Sequence, residues 1–324
     1  MPERLTAQPS ANFGGPDRRD GTAYLMSEEL ELAVQVALAT RRPLLVRGDP
    51  GAGKSSLAAC VASRRNWRYY EHVVTSRTLA QDLLWTFDHV RRLADAQIHA
   101  ARGEDLDDCR YISPGVLWWA FDRTSALRRG APGATTAVAP AEEPRPDINT
   151  VRGAGVVVLI DEIDKADPDV PNGLLVALGS REFTVSDTGT RVCGSAGADS
   201  VTDCLIVVTT NEERELPQAF VRRCVVISLP SPTRSRLVEI AKEHLHFGNR
   251  SWTAQTRLLA EELAGELDFI RISARDAGLR EPSTAEYLDA LYACLDLQIT
   301  VNDDRWRHLR EFVFLKGSRP EEGP

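Results

Sequence analysis

The sequence lacks long hydrophobic runs, and this absence excludes a membrane-spanning protein. Among its 324 residues, no stretch approaches the about 18 to 20 consecutive apolar residues that a transmembrane helix needs. The apolar run Val156 to Ile160, for example, stops at Asp161. Met1 to Leu5 also lack the apolar segment of a secretion signal. We therefore expect a soluble cytoplasmic protein that has no membrane partner.

Cysteines are few and scattered, without a C-x-x-C pair. The chain has six of them: Cys60, Cys109, Cys193, Cys204, Cys224 and Cys294. In a chain of this length such cysteines are typical of small buried residues in a reducing compartment. The spacing therefore argues against a disulfide framework and against a zinc site.

Positive charge is also in short supply. The chain has 39 Lys and Arg against 47 Asp and Glu, which gives a formal net charge of −8. Proteins that bind nucleic-acid backbones usually present a basic surface, so a nucleic-acid partner is disfavoured, although a local basic groove is compatible with this balance. The composition, 43% hydrophobic and 27% charged, is that of a chain that buries a core.

The sequence predicts two domains with flexible ends. Residues 1–22 are rich in Pro and Gly without an apolar period, which predicts a flexible leader. We expect a nucleotide-binding domain over 23–230, a helical domain over 231–316 and a frayed tail over 317–324. Ser27 is placed to cap the first helix, since an apolar stripe with helical spacing follows it.

Five short apolar runs predict the strands of a parallel sheet. They are rich in β-branched residues and mostly do not alternate, as expected of strands covered on both faces. The runs are Leu44 to Val46, Tyr69 to Val74, Val156 to Ile160, Leu205 to Val208 and Val225 to Leu229. Helical patterns between them indicate β-α-β units, so the fold class is α/β, an αβα sandwich with a five-stranded parallel sheet.

Two segments interrupt this pattern, and a third region is helical. Residues 84–110 predict a polar helix in which Leu84 and Phe87 belong to one face. The Pro- and Gly-rich residues at about 130–155 predict a mobile surface insert. Beyond residue 230 we expect only helices, near 233–247, 254–274, 283–297 and 303–315, the third of which begins with a capping box at Ser283 to Glu286.

The strongest motif follows the first strand. The segment 48–55 matches G-x-x-x-x-G-K-[S/T] at every fixed position and stands between a strand and a helix. Glycines let such a loop point consecutive amides at phosphate oxygens, while Lys54 reaches the β- and γ-phosphates and the Ser55 hydroxyl binds Mg²⁺. The candidate cofactor-binding residues are Gly48, Asp49, Pro50, Gly51, Ala52, Gly53, Lys54, Ser55 and Ser56.

Two carboxylates end the third strand. Asp161 is a candidate ligand for Mg²⁺ together with Ser55, and Glu162 is a candidate for polarising the water that attacks the γ-phosphate. The alternative is a strand that simply leaves into an acidic turn. Asn211 ends the fourth strand on the same sheet edge and can orient that water, or it can serve only as a turn residue.

An Arg-Arg pair precedes the fifth strand. Arg222 and Arg223 end a predicted helix, and we expect them at a flank of the nucleotide edge, where they can be presented to the γ-phosphate of a neighbouring subunit. Isolated pairs of this kind are also common on solvated surfaces.

Taken together, these motifs resemble those of an AAA+ ATPase of the MoxR-like branch. Residues 47–55 resemble its Walker A motif, residues 159–166 its Walker B motif and residues 209–211 its sensor 1. Residues 220–223 resemble the arginine-finger region, with Arg223 the better match and Arg222 in reserve. Arg280, at the start of a lid helix, resembles sensor 2, for which Arg275 and Arg271 are alternatives.

The resemblance implies a helical lid on the αβα core, with ATP and Mg²⁺ as cofactors and assembly into homo-oligomeric rings, usually hexamers. It also implies that residues 182–192, which independently predict a hairpin around Thr188 and Gly189, match a hairpin turned toward the ring pore. MoxR-like ATPases resemble chaperones that remodel a client or adaptor, often beside von Willebrand A-domain proteins. The alternatives are a nucleic-acid motor or loader and a nucleotide-gated scaffold with little turnover.

Overall fold

The chain folds into two compact units. The computed structural model describes residues 21, 23–100, 106–132, 139–144, 153–194, 203–301 and 303–315. One unit, here called the αβα unit, is Met26–Pro230. The other, the helical unit, consists of the described residues of Met1–Leu25 and Ser231–Pro324. The predicted leader over 1–22, except Gly21, and the predicted tail over 317–324 lie outside the described residues.

A parallel five-stranded sheet forms the centre of the αβα unit. The strands of the unit are β1 (Leu44–Arg47), β2 (Arg68–Val73), β3 (Trp85–Phe87), β4 (Ile112–Pro114), β5 (Val156–Asp161), β6 (Glu182–Val185), β7 (Thr190–Cys193), β8 (Cys204–Thr210) and β9 (Val225–Ser228). The sheet order is β2-β5-β8-β1-β9, with all neighbours parallel. All five predicted sheet strands are therefore confirmed.

The sheet is covered by helices on both faces. All six residues of β5 are buried, and successive strand residues point to opposite sides. Val156, Val158 and Ile160 pack in one cluster with Trp118 and its neighbours. Val157 and Leu159 point to the other side and are equally inaccessible to solvent. This two-sided burial explains why the strand is apolar without alternation.

The described part of the αβα unit contains eight α-helices, the first of which begins where the sequence predicts. They are α1 (Glu28–Thr40), α2 (Lys54–Arg65), α3 (His89–Ala100), α4 (Val116–Phe121), α5 (Arg123–Leu127), α6 (Asp169–Gly173), α7 (Leu175–Ser180) and α8 (Gln218–Val221). The Ser27 hydroxyl accepts a hydrogen bond from the Leu30 amide at 3.3 Å, so the predicted cap of α1 is confirmed.

Residues 84–110 differ from the polar helix that the sequence predicts. Leu84 precedes β3 and Phe87 ends it, and β3 pairs with β4 in an antiparallel two-stranded ribbon. Among the described residues of this segment the α-helix is α3, which begins after both residues, and a 3₁₀ helix begins at Asp108. The helical prediction fails because the partner of β3 lies more than 20 residues further along the chain, beyond the reach of local periodicity.

Part of the expected mobile insert is packed. The Tyr70 hydroxyl on β2 donates to Glu143 at 2.7 Å, and Arg123 donates to both oxygens of the same carboxylate. Ala141 is buried, and its amide donates to the Leu127 carbonyl. Residues 139–144 are thus tied to the sheet, whereas 133–138 and 145–152 lie outside the described residues.

The hairpin expected around Thr188 and Gly189 is present. Strands β6 and β7 pair antiparallel, with Val185 opposite Thr190. Gly189 has φ of +71°, a conformation that glycine adopts without steric cost. The sequence pattern therefore identified this hairpin correctly.

The helical unit contains four α-helices among its described residues. They are α9 (Arg234–Phe247), α10 (Ala254–Asp276), α11 (Thr284–Leu297) and α12 (Arg305–Arg310), and a π-helical turn, Glu311–Leu315, follows α12. The predicted capping box is confirmed, because the Ser283 hydroxyl accepts from the Glu286 amide and the Glu286 carboxylate accepts from the Ser283 amide. The unit has its own core around Leu263, Leu267 and Tyr287.

Two expectations about composition agree with the structure. In the described part of the chain, none of the helices is both long enough and apolar enough to cross a bilayer. All six cysteines are described and free, and five of them are buried. Burial raises the pKa of the Cys204 and Cys294 thiols to about 11, which makes both thiols unreactive near neutral pH.

Candidate active site

The carboxyl ends of three parallel strands bring the candidate residues together. Strand β1 leads into the loop at Gly48, β5 ends at Asp161, and β8 ends one residue before Asn211. In the sheet β8 lies between β5 and β1, so the three ends are adjacent. Loops at this edge of a parallel sheet form the usual ligand site of open α/β folds.

The loop after β1 needs glycine for two different reasons. At Gly48, where φ is +142°, an added Cβ would lie 2.4 Å from the Leu229 carbonyl oxygen, so any side chain would clash with backbone. Gly53 has φ of +89° and stands immediately before α2, which begins at Lys54. The loop thus delivers the amino-terminal amides of α2, and the positive end of its dipole, to the sheet edge.

The Lys54 ammonium is held by three oxygens at the mouth of the loop. Its Nζ donates to the carbonyls of Gly48 at 2.7 Å and Asp49 at 2.8 Å, and to Asn211 Oδ1 at 2.7 Å. Burial lowers the pKa of Lys54, and the nearby carboxylates, Asp161 first among them, partly offset this effect. Lys54 therefore connects the loop after β1 directly to the end of β8.

Asp161 lies among hydroxyl donors. Its Oδ1 accepts from Ser55 Oγ at 2.7 Å and from Thr209 Oγ1 at 2.6 Å, and the residue is only 2% exposed. A carboxylate beside a hydroxyl is an oxygen donor set of the kind that Mg²⁺ prefers, and Mg²⁺ usually takes one or two such protein ligands together with phosphates and water. The residues present thus fit a nucleotide-bound Mg²⁺.

They do not fit a metal site made by protein side chains alone. Within the described ranges, no group of three or more His, Cys, Asp and Glu side chains converges on a point that could hold an ion. A Mg²⁺ ion at Asp161 and Ser55 would take its remaining ligands from phosphate oxygens and water.

Glu162 points along a different direction from Asp161. Its backbone is left-handed, with φ of +60°, and its amide donates to Thr209 Oγ1 at 2.8 Å. Its carboxylate accepts from Asn211 Nδ2 at Oε1, 3.1 Å, and from Lys165 Nζ at Oε2, 2.5 Å. Asn211 therefore bridges Lys54 and Glu162 through the two ends of one amide.

Two residues of this site were not identified as functional from the sequence. Thr209 is inaccessible and contacts both Asp161 and Glu162, and Asp164 accepts the amides of Asn211 and Glu213 at 3.0 Å each. Asp164 thereby ties the turn after β5 to the turn after β8. The sequence offered only their positions as a signal. Thr209 lies near the end of the strand that precedes Asn211, and Asp164 lies in the acidic turn that follows Glu162.

The remaining residues of the loop contribute mainly backbone. Asp49, Pro50 and Gly51 are exposed, while Ala52 and Ser56 are half-buried. The Ala52 amide donates to the Asp49 carbonyl at 3.2 Å. Ser56 stands in the first turn of α2, next to Ser55.

Arg222 and Arg223 do not lie where the sequence reasoning put them. Because β9 is parallel to β1, with Val225 opposite Leu44, the residues before Val225 lie at the amino-terminal edge of the sheet, away from Gly48 and Asp161. Arg42, which precedes β1, donates to the Arg222 carbonyl at 3.2 Å. Both arginines of the pair are exposed, so the expectation of a position at the flank of the nucleotide edge is wrong.

The three arginines considered for sensor 2 differ in their surroundings within the helical unit. Arg271 is 6% exposed and donates to the carbonyls of Pro282 and Pro232. Arg275 pairs with Glu281 at 2.8 Å, and Arg280 pairs with Glu286 at 2.9 Å. The Arg280 side chain is 56% exposed, whereas Arg271 is held inside its own unit.

Most of the αβα unit matches a known protein family. The model of the family described as the AAA domain, dynein-related subfamily, matches residues 43–224. None of the curated proteins matches the sequence.

Two solved structures, both from Thermotoga maritima, are similar in fold. A point variant of RuvB has a TM-score of 0.43 and 15% identity over 88% of this chain and 67% of that chain. Domain III of the replication initiation protein DnaA has a TM-score of 0.43 and 12% identity over 91% of this chain and 96% of that chain. At these scores the two likenesses carry no argument about what this chain does.

Proposed function

The chain belongs to the dynein-related subfamily of AAA domains, and from this premise we propose that it binds ATP with Mg²⁺ and hydrolyses the γ-phosphate. The observation that carries the proposal is the hydrogen-bonded series Lys54–Asn211–Glu162. It joins a lysine at a phosphate loop to a carboxylate at a neighbouring strand end. A site that only bound nucleotide would have no use for such a carboxylate.

Binding follows from the loop at 48–53 and the first turn of α2. Backbone amides there would cradle the β- and γ-phosphates, and the Lys54 ammonium would exchange carbonyl oxygens for phosphate oxygens. Asp161 and Ser55 would hold Mg²⁺, which neutralises charge on the phosphates when bound. The exchange by Lys54 is easy because its present partners are neutral oxygens of the loop and of Asn211.

Hydrolysis would use Glu162 and Asn211. Water attacks the γ-phosphorus, the bond to the β-phosphate oxygen breaks, and Glu162 accepts a proton from the attacking water. Asn211 contacts both Lys54 and Glu162. A γ-phosphate bound by Lys54 would therefore change the contacts of Asn211, and Asn211 would orient the water that lies between this phosphate and the Glu162 carboxylate.

A second copy of the chain would complete the site. Arg223, with Arg222 in reserve, lies at the amino-terminal edge of the sheet and so cannot reach its own phosphate loop at the carboxyl-terminal edge. The amino-terminal edge also carries Arg41 and Arg42, whereas the opposite edge carries Asp49, Asp161 and Glu162. These complementary edges support head-to-tail contact between copies, and hence a ring, with the MoxR-like family suggesting a hexamer.

The purpose of the ring would be mechanical. We infer a MoxR-like chaperone activity in which hydrolysis remodels or activates a client or adaptor protein, with a von Willebrand A-domain protein as the candidate adaptor that the family resemblance suggests. Arg280 is the preferred sensor 2 on the family resemblance, and its exposure, like that of Arg275, separates it from the buried Arg271. The hairpin β6–β7 would contact the client.

Turnover measurements test the hydrolytic part of the proposal. The unmutated chain should release phosphate from Mg-ATP, while Glu162→Gln should bind ATP and lose turnover by about 10² to 10⁴-fold, the usual contribution of a general base. Lys54→Ala should lose ATP binding itself. If the unmutated chain turns over ATP no faster than Glu162→Gln, the chain is a nucleotide-gated scaffold and the proposal fails.

Client identity can be approached with the same variant. Glu162→Gln loaded with ATP should retain a bound protein, to be identified after copurification, and ADP should release it. DNA-stimulated turnover with steeply salt-dependent DNA binding would instead support a nucleic-acid motor.

A further inference from the structure

Lys165 is bonded to the carboxylate to which hydrolysis is assigned. Its Nζ lies 2.5 Å from Glu162 Oε2, while Asn211 Nδ2 lies 3.1 Å from Oε1. The two donors therefore approach different oxygens of the same carboxylate. Asn211 also accepts from Lys54, so Oε1 is the oxygen on the side of the phosphate loop and Oε2 is the oxygen on the side of Lys165.

The pairing is built into the backbone. Glu162 stands directly before the 3₁₀ turn Ile163–Lys165, and the Lys165 amide donates to the Glu162 carbonyl at 3.0 Å. The turn thereby closes back on Glu162, whose left-handed backbone precedes it, and the Lys165 side chain reaches the Glu162 carboxylate. Ile163 and Asp164, the other two residues of the turn, are buried, which restricts its movement.

This geometry distinguishes the pair from an ordinary surface ion pair. Exposed pairs contribute little because two long side chains must be immobilised. The Lys165 side chain is 42% exposed, but the Glu162 side chain is 27% exposed and is already held by Asn211, so the glutamate has less freedom left to lose. The hydrogen bond to Glu162, together with the charges of Glu213 and Asp164, raises the pKa of Lys165, which keeps the ammonium charged.

We propose that Lys165 is a positioning residue for hydrolysis, which holds Oε2 of Glu162 so that Oε1 faces the attacking water. The proposal rests on the proposed function, because it assigns Lys165 a role in that same step. It adds a residue that the phosphate-binding and metal-binding sets do not contain. Without Lys165 the carboxylate is held at Oε1 alone, by Asn211, and its rotation about its last bond is less restricted.

Steady-state turnover of Mg-ATP by Lys165→Met and Lys165→Arg tests the proposal in the full-length chain. Lys165→Met should lower kcat by about 10-fold, part of the 10²-fold or more that a general base supplies, with KM unchanged. Lys165→Arg keeps the charge and should retain most of kcat. Lys242→Met, which removes an exposed lysine of α9 in the helical unit, is the matched control and should behave as the unmutated chain.

A double variant shows whether Lys165 acts through Glu162. In the Glu162→Gln background, Lys165→Met should cause no further loss of kcat, since the group that it positions is already gone. An additional 10-fold loss there would overturn the proposal, as would an unchanged kcat in the single variant. Equal losses in Lys165→Met and Lys165→Arg with a lower melting temperature would indicate a structural role and would also overturn it.

The two hypotheses fail in different ways. If the unmutated chain turns over ATP and Lys165→Met does so equally well, only the role of Lys165 is refuted. If the unmutated chain shows no turnover above Glu162→Gln, the hydrolytic function is refuted and the role of Lys165 with it.

Discussion

At the scale of single residues, the candidate site depends on side chains that touch two others. Asn211 contacts Lys54 and Glu162, and Thr209 contacts Asp161 and Glu162. Asn211 joins two charged side chains, whereas Thr209 joins the Asp161 carboxylate to the backbone amide of Glu162. Bridges of this kind lower the cost of reorganisation when a phosphate arrives, because the charged groups are already oriented.

The Thr209 hydroxyl provides a test of this arrangement. Thr209→Val keeps the shape of the side chain but leaves the Glu162 amide without this acceptor and removes one of the hydroxyl donors of Asp161. We expect the free energy of unfolding to fall by about 1 to 3 kcal/mol, the usual cost of an unsatisfied buried group. Urea denaturation at neutral pH measures this change.

A matched variant controls for the substitution itself. Thr86 is an exposed residue of β3, and Thr86→Val should change the free energy of unfolding by no more than about 0.5 kcal/mol. Equal stability of Thr209→Val and the unmutated chain would contradict the bridging role of the Thr209 hydroxyl.

At the scale of elements, residues 139–144 are fastened to β2 by one buried cluster. Burial alone would raise the pKa of Glu143, but hydrogen bonds from Arg123 and Tyr70 outweigh it, so the pKa lies below its usual range. The same cluster raises the pKa of Tyr70, by burial first and then by its bond to Glu143. The Tyr70 hydroxyl therefore remains protonated and donates to an ionised carboxylate.

This cluster predicts how stability depends on pH. Since Glu143 has a lower pKa in the folded chain than in the unfolded chain, its stabilising contribution is present above the unfolded pKa and is lost as pH falls through the folded value. Urea midpoints measured from about pH 6 to about pH 3 should decline less steeply in Glu143→Gln than in the unmutated chain. The exposed neighbour provides the control, and Glu142→Gln should leave the slope unchanged.

Elements whose signals are local were predictable from the sequence. The five sheet strands follow from short apolar runs, and the start of α1 at Ser27 and of α11 at Ser283 follow from capping residues. The ribbon β3–β4 was missed because Trp85 and its partner Pro114 are distant in sequence. Helix α4 was missed because its six residues are all buried, so it has no amphipathic stripe.

In the candidate site, too, the residues predicted from the sequence were those with a local signal. The phosphate loop and the carboxylates were identified because each motif is contiguous, whereas Asp164 and Lys165 act through contacts with another strand end or with a side chain across a turn. Arg222 and Arg223 were placed at the wrong edge although a parallel sheet puts residues that precede a strand at its amino-terminal edge, so this error came from the motif and not from the predicted fold.

At the scale of the whole molecule, exposed arginines gather at one edge of the αβα unit. The chain is acidic, with a formal net charge of −8, yet the amino-terminal edge of its sheet carries exposed arginines, among them Arg41, Arg42, Arg222 and Arg223. The carboxyl-terminal edge is mixed, with Lys54 and Lys165 beside carboxylates such as Glu162. Attraction between the arginines of one copy and the carboxylates of the next would bring the two edges together where the proposed shared site would form.

Mixed assemblies test the shared site. Arg223→Ala should retain ATP affinity but lose most turnover, since arginine fingers supply about 10³ to 10⁵-fold in other phosphoryl-transfer proteins. Adding Lys54→Ala, which cannot bind ATP but keeps Arg223, should restore part of the phosphate release. Lys54→Ala by itself should remain inactive, which makes the gain attributable to contact between copies.

Two results would contradict the hypothesis that neighbouring copies share a site. Full turnover in a preparation that is strictly monomeric by light scattering would refute the shared site, and so would the absence of any gain on mixing. Arg222→Ala distinguishes the reserve candidate, because only the arginine that reaches the neighbouring phosphate should be restored by mixing.

The contact between Gly48 and Leu229 has a mechanical consequence. The Leu229 amide donates to the Arg47 carbonyl at 2.8 Å, and its own carbonyl closes over Gly48, while the helical unit begins two residues later at Ser231. The peptide that connects the two units is thus clamped against the first turn of the phosphate loop. A substitution that moved the backbone at Gly48 would therefore also move the peptide that leads into the helical unit.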